Sequence, residues 1–477
     1  MIEPSRIVAG LSLGEHRADA LARATAHVAS AWAEFDSARP EEHPASPELL
    51  AFLQSSLPAA PSDVLQMIDR AAEVLDASLA QARPRFFAFI GSSGLEVGAL
   101  ADLLAHTYDV NLAVDARAAT QLEWQTINWL ADFLGFPAHS GTFTSGGTIS
   151  NMTALAAARE AIIPGSRKRG LVGVLPTIYC SSEAHYSNIR AAEMLGIGAD
   201  FVRSIAIDSE RRMDPADLRH HIESDVAAGY TPIAIVATTG TTLTGAIDPI
   251  DALADIAQEF GIWLHIDGAY GMPAASVSQL RPVFAGLERV DSVTVDCHKW
   301  MFVPKACSAV LVKDTRALAS TFSHNEAYMP HEGENFNAVD ITLEYSRPLR
   351  ALKLWLAFAT HGADAFRAAI YRNCEQAQLL WEIANAHAAL ETLPNRPQLS
   401  VVPIRHVVDG CSDIDAHNTA LCGAIQTDGR VFLSPATIDG GVWLRPCFTN
   451  FRTSDDDIRV LVDLVLELGA DCATLHP

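Results

Sequence analysis

From about residue 140 to 312, short apolar runs alternate with amphipathic stretches. The runs 171–180, 201–207, 233–238, 262–267 and 290–296 are compact and rich in Ile and Val, as strands buried on both faces are. Between them, 187–195, 214–228 and 249–260 carry helical spacing, and Asp214 before Pro215 is an N-cap followed by proline in the first turn. The alternation predicts an α/β fold with a mainly parallel sheet and helices on both faces. Such sheets bind ligands beyond the carboxyl ends of their strands, so chemistry is expected where the apolar runs stop.

The flanks read differently. Residues 12–80 predict broken helices: Ser12 with Glu15 forms a capping-box pattern, and Leu13, Leu21, Val28, Trp32 and Phe35 fall on one stripe. Pro40, Pro44 and Pro47 interrupt the pattern, and Ser46 before Pro47 restarts it. A helical arm of this kind is expected to pack on a second subunit. After about 366 a long helix, short strands at 400–404 and 441–445, and a closing helix at 454–468 predict a smaller α+β domain. The expected division is a helical arm (1–80), a large domain (81–365) and a small C-terminal domain (366–477). No internal repeat is visible.

Composition narrows the class. The 477 residues are 49% hydrophobic and 19% charged, and the net charge of −23 argues against a nucleic-acid or anionic-membrane partner. The opening residues Met1 to Arg6 lack a basic n-region and apolar core, and no apolar run approaches a bilayer span. Eight scattered cysteines without CxxC pairs fit free thiols in a reducing cytoplasm and no metal site.

Five features fall just beyond apolar runs. Asp296-Cys297-His298-Lys299-Trp300 follows the run that ends at Val295. A lysine there is a candidate nucleophile, because burial lowers a lysine pKa and frees the neutral amine; an isolated one would ordinarily be a surface residue. His265-Ile266-Asp267-Gly268-Ala269-Tyr270 ends another run. A buried Asp needs a cation, and a protonated pyridine nitrogen is one, while a lone Asp commonly only caps a turn. Gly268 and Ala269 are small enough for a flat ring to approach the backbone. Thr144-Ser145-Gly146-Gly147-Thr148 opens an alanine-rich helix, offering free N–H groups to a phosphate, although many such turns bind nothing. His185 lies beyond a fourth run and is suited to stack on a ring, or is simply structural. Thr239-Gly240-Thr241-Thr242 lies beyond a fifth.

With these in order, the chain resembles the group II pyridoxal-phosphate (PLP) decarboxylases, which act on aromatic amino acids, glutamate and histidine. The resemblance runs from Pro84-Arg85-Phe86-Phe87 to the closing helix and rests on His298-Lys299-Trp300, Asp267 with Ala269-Tyr270, and Gly240-Thr241-Thr242. It implies PLP fold type I and a homodimer with shared active sites. Lys299 is then the Schiff-base lysine, and His298 contacts the phosphate beside backbone groups of Gly147 and Thr148. Asp267 binds the pyridine nitrogen, Ala269 packs on the ring face opposite His185, and Thr242 lies near the 3-hydroxyl side. Asp248 supports them. Tyr328 resembles the tyrosine that returns a proton after CO2 leaves, directly or through His185, which favours an amine product over an aldehyde. Two departures stand out. Asp296-Cys297 replaces the usual Asn-Pro, and a carboxylate near phosphate would be repelled unless it points elsewhere, so Asp296 receives no cofactor role. Gly268 replaces an alanine and is expected to add room.

The substrate pocket is expected to include Phe86, Phe87, Val110 and Leu112, the last two from the other subunit. These suit an aromatic L-amino acid. Arg85 and Arg117 keep open a glutamate-like substrate, or are surface residues. An aldehyde synthase, an aminotransferase and a non-catalytic homologue are the remaining alternatives, the last disfavoured by Lys299, Asp267 and Tyr328 together.

Overall fold

The computed structural model describes residues 11–40, 43–324 and 338–475. Seven strands build the main sheet: β1 (Ser140–Thr144), β2 (Pro176–Ser181), β3 (Val202–Ile205), β4 (Thr231–Thr238), β5 (Trp263–Asp267), β6 (Ser292–Val295) and β7 (Ser308–Val312), in the order β1-β7-β6-β5-β4-β2-β3. β2 to β6 pair in parallel, whereas β7 runs antiparallel to both β1 and β6. The mainly parallel sheet read from the apolar runs is therefore mixed through this one strand.

The runs are strands because both faces are covered. Ile233 to Ala237 are fully buried in β4, and apolar clusters pack on either side of the sheet. The helices between them are Ser187–Met194, Pro215–Ala227 and Ile250–Phe260. Asp214 accepts from Ala216 N, and Ser46 accepts from Leu49 N ahead of the helix Pro47–Leu53, as their sequences predict. Ser12 does not form the expected box: its hydroxyl accepts from Gly14 N, two residues on, at the head of a 3-10 turn. The stripe on the helix Arg17–Phe35 meets little of its own chain. Only Ala20 is buried there, while Leu21 and Val28 are exposed.

A long helix, Ala351–Asn385, is broken at Gly362, where φ is 73° and ψ 155°. Beyond it β8 (Leu390–Thr392), β9 (Ile404–His406), β10 (Pro435–Ile438) and β11 (Gly441–Leu444) form a second sheet, covered by the helix Ile414–Asp428 and the closing helix Asp455–Leu475. Its core includes Phe87 from far upstream.

Candidate active site

Five strand ends converge on one cavity of about 90 Å³. Gly147 and Thr148 follow β1, His185 follows β2, Gly240 and Thr242 follow β4, Asp267 to Tyr270 close β5, and Asp296 and Lys299 follow β6. Ile90, Asn151, Ser187 and Thr238 complete the wall.

Asp267 is buried and held by amides. Its Oδ2 accepts from Asn151 Nδ2 at 2.9 Å and Asn188 Nδ2 at 3.3 Å, and its Oδ1 from Ala269 N at 3.3 Å. Ala269 was expected beside the ring, but neither asparagine was given a role from sequence. Asn151 lies one turn into the helix Gly147–Ile162, and that spacing from the Gly-Gly entrance was the one available signal.

The same Asn151 orients a chain of hydrogen bonds. Trp263 Nε1 can only donate, and does so to Ser292 Oγ at 2.8 Å, leaving that hydroxyl to donate to His265 Nδ1 at 2.8 Å. Asp267 fixes the Asn151 amide with its nitrogen inward, so His265 Nε2 donates to Asn151 Oδ1 at 3.1 Å. Asn151 Nδ2 then also donates to Ser187 Oγ at 3.1 Å, and Ser187 Oγ to His185 Nδ1 at 2.8 Å. The Ser187 N–H donates to the same Nδ1 at 3.2 Å. A neutral His185 therefore carries its proton on Nε2. Burial lowers the His185 pKa and pushes His265 down to about 4, which keeps both rings neutral near pH 7.

Lys299 departs from expectation. Burial pulls its pKa down, but Asp296, 2.9 Å from Nζ, and Asp267 push harder, and the amine is held above its ordinary range. Without a bound cofactor the group is an ammonium in an ion pair. His298 does not line the cavity; its ring lies against the Cys307 backbone, with Nε2 3.8 Å from Asp296 Oδ2.

Small residues keep the floor open. A β-carbon on Gly147 would stand 3.0 Å from both Ala269 Cβ and Asp296 Oδ2. Gly268 adds no room: a β-carbon there would meet Met272 Cβ at 2.5 Å and Thr294 O at 2.9 Å, so glycine serves packing beneath the strand end. The β4 loop is clamped from three sides. Asp248 accepts from Thr238 N and Met213 N, each at 2.7 Å. Glu183 accepts from the Thr241 and Thr244 hydroxyls at 3.3 Å and pairs with Arg211. Arg445, almost wholly buried, donates to Thr242 O and Phe89 O at 2.9 Å each. Glu183 and Arg445 carried no sequence signal, because their partners are backbone and distant loops.

Four expected pocket residues do not line this cavity within the chain. Phe86 stacks on Phe432 (5.2 Å, 10°) and Phe87 packs edge-on against Phe448 in the second core. Leu112 is buried in the large core beside Ile127 and Arg347, and Val110 lies half-buried before it. Ile90 reaches the cavity instead of the phenylalanines. Arg85 pairs with Asp457 at 2.8 Å, and Arg117 is exposed. Tyr328 lies outside the described residues. A larger cavity of about 680 Å³, behind Thr244 to Ala246, has its arginines already paired, Arg211 with Asp439 and Arg396 with Glu382.

A lysine, an amide-tied carboxylate and a helix entrance at successive strand ends match a described family. The model of the pyridoxal-dependent decarboxylase conserved domain matches residues 47–406. The chain belongs to the pyridoxal-dependent decarboxylase family. It is a PLP-dependent amino acid decarboxylase of fold type I. The aromatic-L-amino-acid decarboxylase of Bacillus atrophaeus is 32% identical over 405 residues, 83% of this chain and 83% of that protein. The L-2,4-diaminobutyrate decarboxylase of Rhizobium meliloti (strain 1021) is 33% identical over 371 residues, 75% of this chain and 72% of its own length. The structure of Catharanthus roseus tryptophan decarboxylase in complex with L-tryptophan superposes with a TM-score of 0.86 at 25% identity, covering 96% of this chain and 99% of that one.

The residues present fit the cofactor of this family. Beside the lysine and the carboxylate, the buried Thr238 Oγ1 and Asp296 Oδ1 on the cavity wall have no hydrogen-bond partner among the described residues, and buried polar groups are rarely left so.

Proposed function

We propose that the decarboxylase converts an aromatic L-amino acid to its amine and CO2. The observation that carries this reading is the cavity's charge: among the described residues lining it, the only cation besides histidine is Lys299. Lys299 is committed to the cofactor, and Arg445 to two carbonyls, so the described residues lining the cavity offer an acidic substrate side chain no counter-charge. The Bacillus relative and the tryptophan decarboxylase structure support the same choice.

PLP, when bound, supplies the electron sink for the pair left behind by CO2. Lys299 would hold it covalently, and Asp267 would keep a proton on the ring nitrogen, its carboxylate oriented by Asn151 and Asn188. Gly147 and Thr148 would offer N–H groups to the phosphate with His298 nearby, and Ala269 and His185 would take the two ring faces. Thr242 would lie at the ring edge. His185 presents Nε2–H as a proton donor, and Tyr328 carries the final proton by resemblance alone.

We also infer a homodimer. Leu21, Val28, Leu50, Leu53 and Leu75 are exposed apolar residues on the N-terminal helices, with Leu79 exposed just beyond them. Light scattering is expected to give twice the chain mass. A cytoplasmic location is inferred from eight unpaired cysteines, six of them buried; no helix among the described residues is long and apolar enough to cross a membrane.

The test is incubation of PLP-loaded protein with a panel of L-amino acids that includes tryptophan, tyrosine, glutamate and 2,4-diaminobutyrate, read by mass spectrometry. Amine from an aromatic substrate supports the proposal. Turnover of glutamate or diaminobutyrate alone would overturn the substrate class.

A further inference from the structure

Asp296 occupies the position where the family resemblance expects asparagine, and it is almost completely buried. Its Oδ2 accepts from Lys299 Nζ at 2.9 Å and lies 3.8 Å from His298 Nε2, while Oδ1 has no hydrogen-bond partner among the described residues. Both oxygens press on the entrance of the helix Gly147–Ile162: they stand 3.0 and 3.3 Å from where a Gly147 β-carbon would be. That entrance, with its free N–H groups, is the place for a phosphate. Two like unit charges about 5 Å apart, at an effective dielectric constant near 20, weaken binding roughly a hundredfold. An ionised Asp296 and a bound phosphate are therefore in conflict.

The ion pair contains the means to resolve it. We propose that Asp296 takes a proton from Lys299 as the lysine bonds to the cofactor aldehyde, and then stays protonated as a hydrogen-bond donor toward the phosphate. The Lys299 ammonium gives one proton to the Asp296 carboxylate. The free amine forms a C–N bond at the aldehyde carbon, and the aldehyde oxygen leaves as water with the two remaining amine hydrogens. No proton is exchanged with solvent, and neither oxidant nor reductant is needed. Before capture the pair is ionic and neutral overall; afterwards a carboxylic acid donates where an asparagine amide would.

The surroundings agree with this. Burial raises the Asp296 pKa, and the Lys299 charge, followed by smaller contributions from His298 and from hydrogen bonds of Ser308 and Lys299, holds it below the usual carboxylate range. The other groups around the pair include the Asp267 carboxylate and the Cys447 thiol, which act on Lys299, the neutral His185 ring, the Ser308 hydroxyl and, beyond His298, the Lys305 amine. Ala269 offers only a methyl group. Once Lys299 loses its charge, burial becomes the dominant influence and favours the acid. The pair thereby ties acceptance of the phosphate to formation of the covalent bond, and selects the aldehyde form of the cofactor over forms that cannot react with an amine.

The inference rests on the reading of the chain as a PLP decarboxylase, and one experiment separates the two. Protein labelled with carboxyl-13C aspartate is stripped of cofactor and reloaded with PLP while visible absorbance and infrared difference spectra are recorded. The expected result is lysine-bound cofactor absorbance together with a new isotope-shifted carbonyl stretch of a protonated carboxyl group, absent from Asp296→Asn. Cofactor absorbance without that band would overturn the inference and leave the decarboxylase reading standing. No lysine-bound absorbance at all would overturn the reading and the inference with it. The dissociation constants of PLP and pyridoxine 5′-phosphate, whose alcohol cannot bond to lysine, give a second measure. The preference for PLP is expected to fall about tenfold or more in Asp296→Asn, and an unchanged preference would count against the proposal. Should Asp296→Asn fail to fold, Asp296→Ser is the second variant from which the band is expected to be absent.

Discussion

Asn151 Nδ2 lies 2.9 Å from Asp267 Oδ2, and this amide sets both the environment of the carboxylate and the direction of the hydrogen bonds that reach His185. Replacing Asn151 by Leu removes one donor from a buried carboxylate. Hydrogen bonds to charged groups contribute about 1.5–3 kcal/mol, so PLP affinity is expected to drop about tenfold or more. Titration of the stripped variant with PLP, followed by absorbance, checks this; an unchanged affinity would mean that Asn188 alone suffices.

The tautomer assignment is open to direct observation. Nitrogen-15 NMR of histidine-labelled protein at pH 7.5 is expected to show His185 and His265 both protonated on Nε2, with resonances assigned from His185→Gln and His265→Gln. A proton on Nδ1 of either ring would contradict the hydrogen-bond chain.

Acid should destabilise the fold through its buried histidines. His265 and His406 are both pushed down to about 4, chiefly by burial. The unfolded chain protonates them near pH 6.5, whereas the folded chain resists until about pH 4. Their contribution to stability is therefore complete above pH 6.5 and is lost as pH falls toward 4, at most about 3 kcal/mol for each. His406 also meets His417 at 2.9 Å, and two protons on that pair would repel. Melting temperature is expected to fall on acidification in this window, and less steeply in His406→Gln. Equal slopes would assign the acid sensitivity elsewhere.

Arg445 ties the Thr242 and Phe89 loops together through two backbone carbonyls. Arg445→Lys can serve at most one carbonyl well, leaving a buried acceptor unsatisfied, and is expected to lower unfolding stability by about 1–3 kcal/mol. Urea denaturation checks the loss, which should be absent if the contacts are replaced by solvent.

Phe87 belongs to the core of the second sheet. Phe87→Leu is expected to cost about 1 kcal/mol or more in stability while leaving the ranking of amino acid substrates unchanged. A changed ranking would return Phe87 to the substrate pocket.

How much of this was legible in the sequence depends on how local each signal is. β4 was plain because Ile, Val and Ala fill it, β5 because Trp263, Leu264 and Ile266 make a short apolar run, and Lys299, Asp267 and His185 were found because each follows or ends such a run. β1 was hidden: Ser140-Gly141-Thr142-Phe143-Thr144 is polar by composition, yet all five residues are buried, the Thr144 hydroxyl meeting Ser150 and Thr142 Oγ1 having no hydrogen-bond partner among the described residues. The antiparallel sense of β7 leaves no mark on hydrophobic period. Long-range partners were equally silent: nothing near Asn151, Glu183 or Arg445 announces the residues they hold. For Lys299, the general effect of burial was right in sign, and it lost to a carboxylate three positions away.

The reversed strand has a consequence for assembly. Lys299 sits on the connection between β6 and β7, and β7 completes the sheet by pairing Val312 with Ser140 on one side and Ser292 on the other. Lys299 is therefore flanked by pairings that join the first strand of the sheet to its last. A nascent chain that has not yet reached residue 312 lacks this closure, even though the described residues lining the cavity all precede it. The yellow colour of bound cofactor would then serve as a certificate of a finished sheet, withheld from chains still under construction.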